Sequence, residues 1–296
     1  MSSLTRLRIL SVQCTDLADG AVQQLVCSLA HLPALTDVTI GCEWPASMAD
    51  AELQACFGAL ASVTSLDVSA RFALRAGLVS GVAALTQLHA LNIWHRTIDM
   101  GAALALRGAL PALQLLKHFS MANCQCMEGM GEIMAGLCSV TGLEKLDLSG
   151  NDLSPETADE VAEALRALSH LQTINLPHTK TKREIQEVWG ALHGTKGLLR
   201  VDLSLTYPFP EDWAAGVELL IDLINASESL RCVELDFKFE RPLYDVITEI
   251  GALEHCLDGV AMKDPLRLLD LRHYVAELID EYYYDHPSQD ERSWSD

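Results

Sequence analysis

The stretch "LEKLDLSGNDL", Leu143–Leu153, holds leucine at its first, fourth, sixth and eleventh positions and asparagine at its ninth. Whether this spacing stands alone or recurs decides the fold. Slid along the chain, the same spacing begins at Leu7, Leu35, Val63, Leu88, Leu116, Leu143, Leu171 and Leu198, with weaker copies from Leu230 and Leu266. Successive copies start 28, 28, 25, 28, 27, 28, 27, 32 and 36 residues apart. A period so steady is an internal repeat, and repeats of this length build arrays in which each unit touches only its neighbours.

The fourth and sixth positions alternate on a short strand and share one face. In the ten copies they are Leu10/Val12, Val38/Ile40, Leu66/Val68, Leu91/Ile93, Phe119/Met121, Leu146/Leu148, Ile174/Leu176, Val201/Leu203, Val233/Leu235 and Leu269/Leu271, all apolar. No single strand can bury such a face, but a stack of parallel strands can. The ninth position must satisfy backbone groups turned inside the bend. Asn151 suits this best. Cys124 is an accepted substitute, and Thr15, Thr179 and Thr206 are compatible. Glu43, Arg71, Arg96, Lys238 and Tyr274 depart from the pattern, so those bends are expected to be distorted or opened to solvent.

Helical sequence separates the strands. In "LSPETADEVAEALRALSHL", Ser154 is an N-cap and Pro155 opens the helix, with Ala158, Val161, Ala162, Leu165 and Leu168 on one face. "LADGAVQQLVCSLAHL" from Leu17 repeats the arrangement. A strand, a bend and a full helix in about 28 residues resemble the leucine-rich repeat, and within it the ribonuclease-inhibitor-like class. Ribonuclease inhibitor, the Ran GTPase-activating proteins and the sensor domains of NLR receptors are of that class. The resemblance covers essentially the whole chain. It implies an α/β solenoid or horseshoe of about ten repeats, with a parallel concave sheet and convex helices.

The expected organisation is one repeat domain over residues 1–285 and an acidic disordered tail over 286–296. Val275, Leu278, Ile279 and Tyr282 would form the helix that caps the last repeat. Only "MSS" precedes the first repeat, so its open face is covered by another chain, by missing sequence, or is itself worn smooth. The longer late repeats place insertions at "TYPFPEDW", Thr206–Trp213, and at "FERPLYD" and "DGVAMKDP". Extra length in a repeat becomes loop on one face, often the binding face; drift toward the end of the array is the plainer account.

The composition narrows the function. Apolar residues make up 49% and the formal net charge is −20. That balance argues against nucleic acid and anionic membranes, which need a positive footprint, and suits a basic protein partner or plain solubility. No apolar run approaches the ~18 residues of a spanning helix. The opening "MSSLTRLRILSV" falls in register with the repeat, so a cytoplasmic compartment is expected and a transit peptide is not. The nine cysteines (Cys14, Cys27, Cys42, Cys56, Cys124, Cys126, Cys138, Cys232 and Cys256) include no C-x-x-C pair and read as free thiols.

No nucleotide, hydrolase or metalloprotease motif occurs, and "GLVSGVAAL" at Gly77 is glycine in a repeat helix. His95, His178 and His273 share the eighth position but fall about three strands, roughly 14 Å, apart, too far for one metal ion. No cofactor, metal or catalytic residue is assigned. The fifth position faces the concave side and reads Ser11, Thr39, Asp67, Asn92, Ser120, Asp147, Asn175, Asp202, Glu234, Asp270, with no basic residue. The seventh adds Trp94 and Asp236; the third adds His118, Lys145 and Arg200. The expected function is a non-enzymatic scaffold for a protein partner. The partner-binding candidates are Trp94, Asp147, Asp202, Glu234, Asp236 and Asp270, together with Tyr207, Phe209 and Trp213 on the stiff insertion. A Ran-type GTPase-activating protein, or a structural subunit of a large assembly, is the alternative. The acidic end (Glu277, Asp280, Glu281, Asp285, Asp290, Glu291 and Asp296 against Arg292) favours the former only weakly.

Overall fold

The computed structural model describes residues 6–14, 21–29, 31–42, 49–70, 74–95, 97–126, 129–179, 181–206, 222–224, 226–227 and 229–238. Nine strands form one parallel sheet in sequence order. They are β1 (Ile9–Cys14), β2 (Asp37–Cys42), β3 (Ser65–Ala70), β4 (Ala90–His95), β5 (His118–Ser120), β6 (Lys145–Asp147), β7 (Thr173–Asn175), β8 (Arg200–Thr206) and β9 (Cys232–Lys238). Among the described residues the α-helices between them are α1 (Ala21–Leu29), α2 (Asp50–Gly58), α3 (Ala76–Val82), α4 (Met100–Ala109), α5 (Met130–Leu137), α6 (Pro155–Ala167) and α7 (Lys182–Leu192). Strands stack about 4.8 Å apart but helices need about 8–10 Å, so the sheet side must be the concave one. The tenth copy, the expected capping helix and tail, and the boundary at residue 285 lie outside the described residues.

The register matches the repeat residue for residue. Val38 pairs with Leu66, Leu66 with Leu91, Leu91 with Phe119, Phe119 with Leu146, Leu146 with Ile174, and Ile174 with Val201. From β2 to β7 both core positions are buried throughout. Leu10 and Val12 on β1 are only partly buried, and Ile9 beside them is 70% exposed. Among the described strands β1 has a neighbour on one side only.

A second ladder runs at the second template position, just before each strand. The carbonyl of Thr36 accepts from the Thr64 and Ser65 amides, Thr64 from His89 and Ala90, and His89 from Lys117 and His118. Lys117, Glu144, Gln172 and Leu199 continue it to Cys232. Each repeat therefore donates its backbone to the one before, which satisfies groups that a lone repeat would leave bare.

The helices follow their sequence signals. Ser154 caps α6 by accepting from the Thr157 amide, Pro155 is its first residue, and the expected apolar face is fully buried. Thr181 and Glu184 cap α7 reciprocally, and Asp99 Oδ1 accepts from the Ala102 amide at the start of α4. Neighbouring convex helices are joined by ion pairs: Arg75–Asp50 at 2.7 Å, Arg107–Glu132, Arg166–Glu187 at 3.5 Å and Arg183–Asp159 at 2.6 Å. These pairs are exposed and contribute little each. Gly77 and Gly81 of α3 are buried against α2, where a Cβ at Gly81 would lie 2.7 Å from Phe57 Cβ. They are close-approach glycines and not a phosphate cradle.

Strand length divides the array. β5, β6 and β7 have three residues each, whereas the others have six or seven. The short strands belong to the repeats whose ninth residues are Cys124, Asn151 and Thr179. The buried Asn151 Nδ2 donates to the Met121 carbonyl at 2.8 Å and the Leu148 carbonyl at 2.9 Å, and its Oδ1 accepts from the Cys124 amide at 3.0 Å. Cys124 Sγ reaches the Ile93 carbonyl at 3.3 Å. These bonds turn the backbone inward soon after the strand. Gly150 (φ +69°) and Asn123 (φ +57°) supply left-handed steps at the equivalent eighth positions. Where Glu43, Arg71, Arg96 or Lys238 stands ninth, the strand instead runs on and keeps pairing with its neighbour. Residues 43, 71, 96 and 274 and the bends they belong to lie outside the described residues, and β1, whose ninth residue is Thr15, is equally long. Thr206 also ends a long strand, β8. Thr179 departs as well: its hydroxyl is buried without a hydrogen-bond partner among the described residues.

Candidate functional site: the strand face

The open face of the sheet carries three rows of side chains. The fifth-position row runs in unbroken register Thr39, Asp67, Asn92, Ser120, Asp147, Asn175, Asp202, Glu234. Those from Thr39 to Asp202 are half-buried. Asn92 donates to Asp67 at 3.0 Å. Burial pushes the Asp67 carboxyl above its usual range, and the Asn92 bond partly offsets that. Asp147 Oδ1 accepts from both the amide and the hydroxyl of Ser149, at 3.0 and 2.7 Å, which orients the carboxylate.

The third-position row includes His118, Lys145 and Arg200, all exposed. His118 pairs with Lys145 across β5 and β6. Burial, then the Lys145 charge, lowers the His118 imidazole below its ordinary value, against a smaller opposing pull from Glu144. Glu144 is itself held low, chiefly by its hydrogen bond with Lys117, which it meets at 2.9 Å.

The change in strand length shapes this face. β4 pairs with β3 along its whole length but with β5 only from Ala90 to Asn92. Trp94 thus sits on the unpaired flank of β4 and is 56% exposed. Over the short strands lies a hollow of about 280 Å³, bordered by Asn92, His118, Ser120, Lys145, Asp147 and Thr173 together with Leu91, Phe119 and Leu146, and its accessible lining is mostly carbon with a few polar atoms among it.

Of the sequence candidates, Trp94, Asp147 and Asp202 lie on this face, and Glu234 and Asp236 occupy register positions beside Asp202 and Ser204. Trp94 and Asp202 are four strands, roughly 19 Å, apart, so they do not form one cluster. Tyr207, Phe209, Trp213 and Asp270 lie outside the described residues; the 207–213 insertion begins directly after β8. The hollow was missed as a unit because template rows show which residues share a face, not where strands shorten.

Among the described residues, Cys126 and Cys138 are free thiols, and burial with the neighbouring Cys124 pushes the Cys126 thiol up to about 12. No group of three His, Cys, Asp or Glu side chains among them is placed to hold a metal ion. No described helix is long and apolar enough to cross a membrane.

Parallel strands in sequence order, an apolar pair turned inward on each and buried from β2 to β7, an asparagine tying three backbone groups in the bend after β6 and helices on the return define a leucine-rich repeat solenoid. No family model matches the chain, and no curated protein sequence does. Among crystal structures, it is similar to the leucine-rich repeat-containing protein LegL7 from Legionella pneumophila, with a TM-score of 0.44 and 18% identity, covering 81% of this chain and 77% of that one. It is also similar to a protein from Bacteroides fragilis, with a TM-score of 0.40 and 13% identity, covering 75% and 73%.

Proposed function

We propose that the protein is a non-enzymatic scaffold that binds a protein partner on its concave face, toward the C-terminal half. The row Asp147, Asp202, Glu234 carries this reading: half-buried or strand-borne acids in one register with no basic residue among them. A solvated strand face has to be polar, but nothing in that requires one whole row of it to lack lysine and arginine while the neighbouring row carries Lys145 and Arg200. Trp94 supplies an exposed aromatic anchor, and Tyr207, Phe209 and Trp213 would extend the surface, with Asp236 and Asp270 on the acidic side. Aromatic anchors beside a charged rim are the common make-up of a binding hot spot. The partner on this reading is a protein with a basic patch, met in the cytoplasm, where a protonated thiol such as Cys126 stays reduced.

The test is capture of partners by the full chain with identification by mass spectrometry, followed by kinetics on variants. Trp94→Ala and Tyr207→Ala are expected to weaken capture by about 1–2 kcal/mol each without moving the melting temperature. Asp202→Lys with Glu234→Lys should slow association and flatten its salt dependence. Normal binding by all of these, with loss on changing the strand face of β1 to β3, would place the site at the other end.

A further inference from the structure

We propose that the hollow over β5 and β6 seats a carboxylate side chain of the partner against Lys145 and His118, while Asp147 takes a basic side chain two residues along the same partner segment. This rests on the protein-binding reading and names the element it recognises: an extended acid-x-base segment lying along β6.

Three observations carry it. Lys145 and His118 stand side by side on adjacent strands, and neither has a hydrogen bond or ion pair among the described residues. The nearby acid Glu144 is salt-bridged to Lys117 at 2.9 Å, and its pull on His118 and Lys145 is weaker. An exposed lysine ammonium with no ion pair of its own, beside an imidazole that can donate a hydrogen bond and gains charge as the pH falls, fits an anion better than it fits the basic patch that suits the neighbouring row. Second, Asp147 is on the same strand face as Lys145, two residues on, so their Cα atoms lie roughly 6.6 Å apart along the strand. An extended peptide repeats its own same-side side chains at that spacing, so one segment reaches both. Third, Ser149 holds Oδ1 of the Asp147 carboxylate through its amide and hydroxyl, which orients it before a partner arrives. The hollow is about 280 Å³, which admits a glutamate or aspartate side chain and not a folded element.

The experiment is a two-dimensional NMR titration of the full chain, labelled at lysine and histidine side chains. The probes are acetyl-Glu-Ala-Lys-amide and its reverse, acetyl-Lys-Ala-Glu-amide, since the segment can run in either direction. At least one should shift the Lys145 and His118 signals saturably. Replacing its Glu by Gln, or Lys145→Gln in the protein, should weaken binding roughly five-fold each, the size of an exposed ion pair. Asp147→Asn should do the same, and Lys145→Gln should leave the melting temperature unchanged. No saturable shift with either probe, equal binding of the Gln peptide, or an equal response to inorganic phosphate would overturn the inference. Should a captured partner depend on Trp94 and Asp202 but not on Lys145, this inference fails and the protein-binding reading stands. Should no partner depend on any strand-face residue, it is the latter that fails.

Discussion

At the scale of single residues, Asn151 does more than any other polar side chain here. Its amide meets two buried carbonyls and its oxygen meets one buried amide. Asn151→Ala leaves these groups unsatisfied inside the fold, and urea unfolding should show a loss of about 3 kcal/mol. This role was legible in the sequence, because a lone asparagine amid leucines at a fixed offset has few other uses. The role of Thr179 was not. A hydroxyl has a single proton to donate where the carboxamide has two, and the Thr179 hydroxyl finds no acceptor among the described residues. Cys126 gives a chemical counterpart. With its thiol pushed up to about 12 by burial, it holds almost no thiolate near neutrality. At pH 8 its labelling by a disulfide reagent should wait for unfolding, and labelling as fast as in a denatured control would contradict the packing described.

At the scale of elements, the buried faces were readable and the strand lengths were not. A period of two names the core pair, as Leu146 and Leu148 show. Where a strand stops, however, depends on the bend that follows, and that bend is settled by bonds between repeats such as the one from Asn151 to Met121. The exposure of Trp94 is a product of that mismatch, since β5 ends before reaching it. Helix spacing was equally hidden. Gly81→Val would push a side chain into Phe57 and the Gln54 carbonyl, which lie 2.7 and 2.8 Å from the position of a Cβ. Overpacking of this kind should cost about 1–3 kcal/mol by thermal unfolding, with little loss of helix by circular dichroism. Between β5 and β6 the titration of His118 yields a direction. Burial and Lys145 disfavour its charged form, Glu144 favours it, and a bound carboxylate would favour it further. Peptide binding in the hollow should therefore strengthen as the pH falls from 7 through the histidine range. The pH dependence should vanish in His118→Gln.

At the scale of the whole molecule, burial is uneven along the array. Leu146 sits mid-stack and is fully enclosed, so Leu146→Asp should cost more than ~3 kcal/mol and abolish cooperative melting. Leu10→Asp, on the partly covered β1, should cost less. Equal effects would mean that the repeats melt as one block. The net charge of −20 sets the other global property. A basic partner would be drawn in from a distance, and its association rate should fall as salt is raised.

The carbonyl ladder at the second template position has a mechanical consequence. Its bonds, like those of the sheet, point along the stacking axis and not across it. A pull applied to the two ends of the array loads them one after another, as in a zipper, and never all together as in two strands sheared past each other. The molecule should then lengthen in repeat-sized steps at low force, yielding as a soft spring where a sandwich of sheared strands would hold and snap.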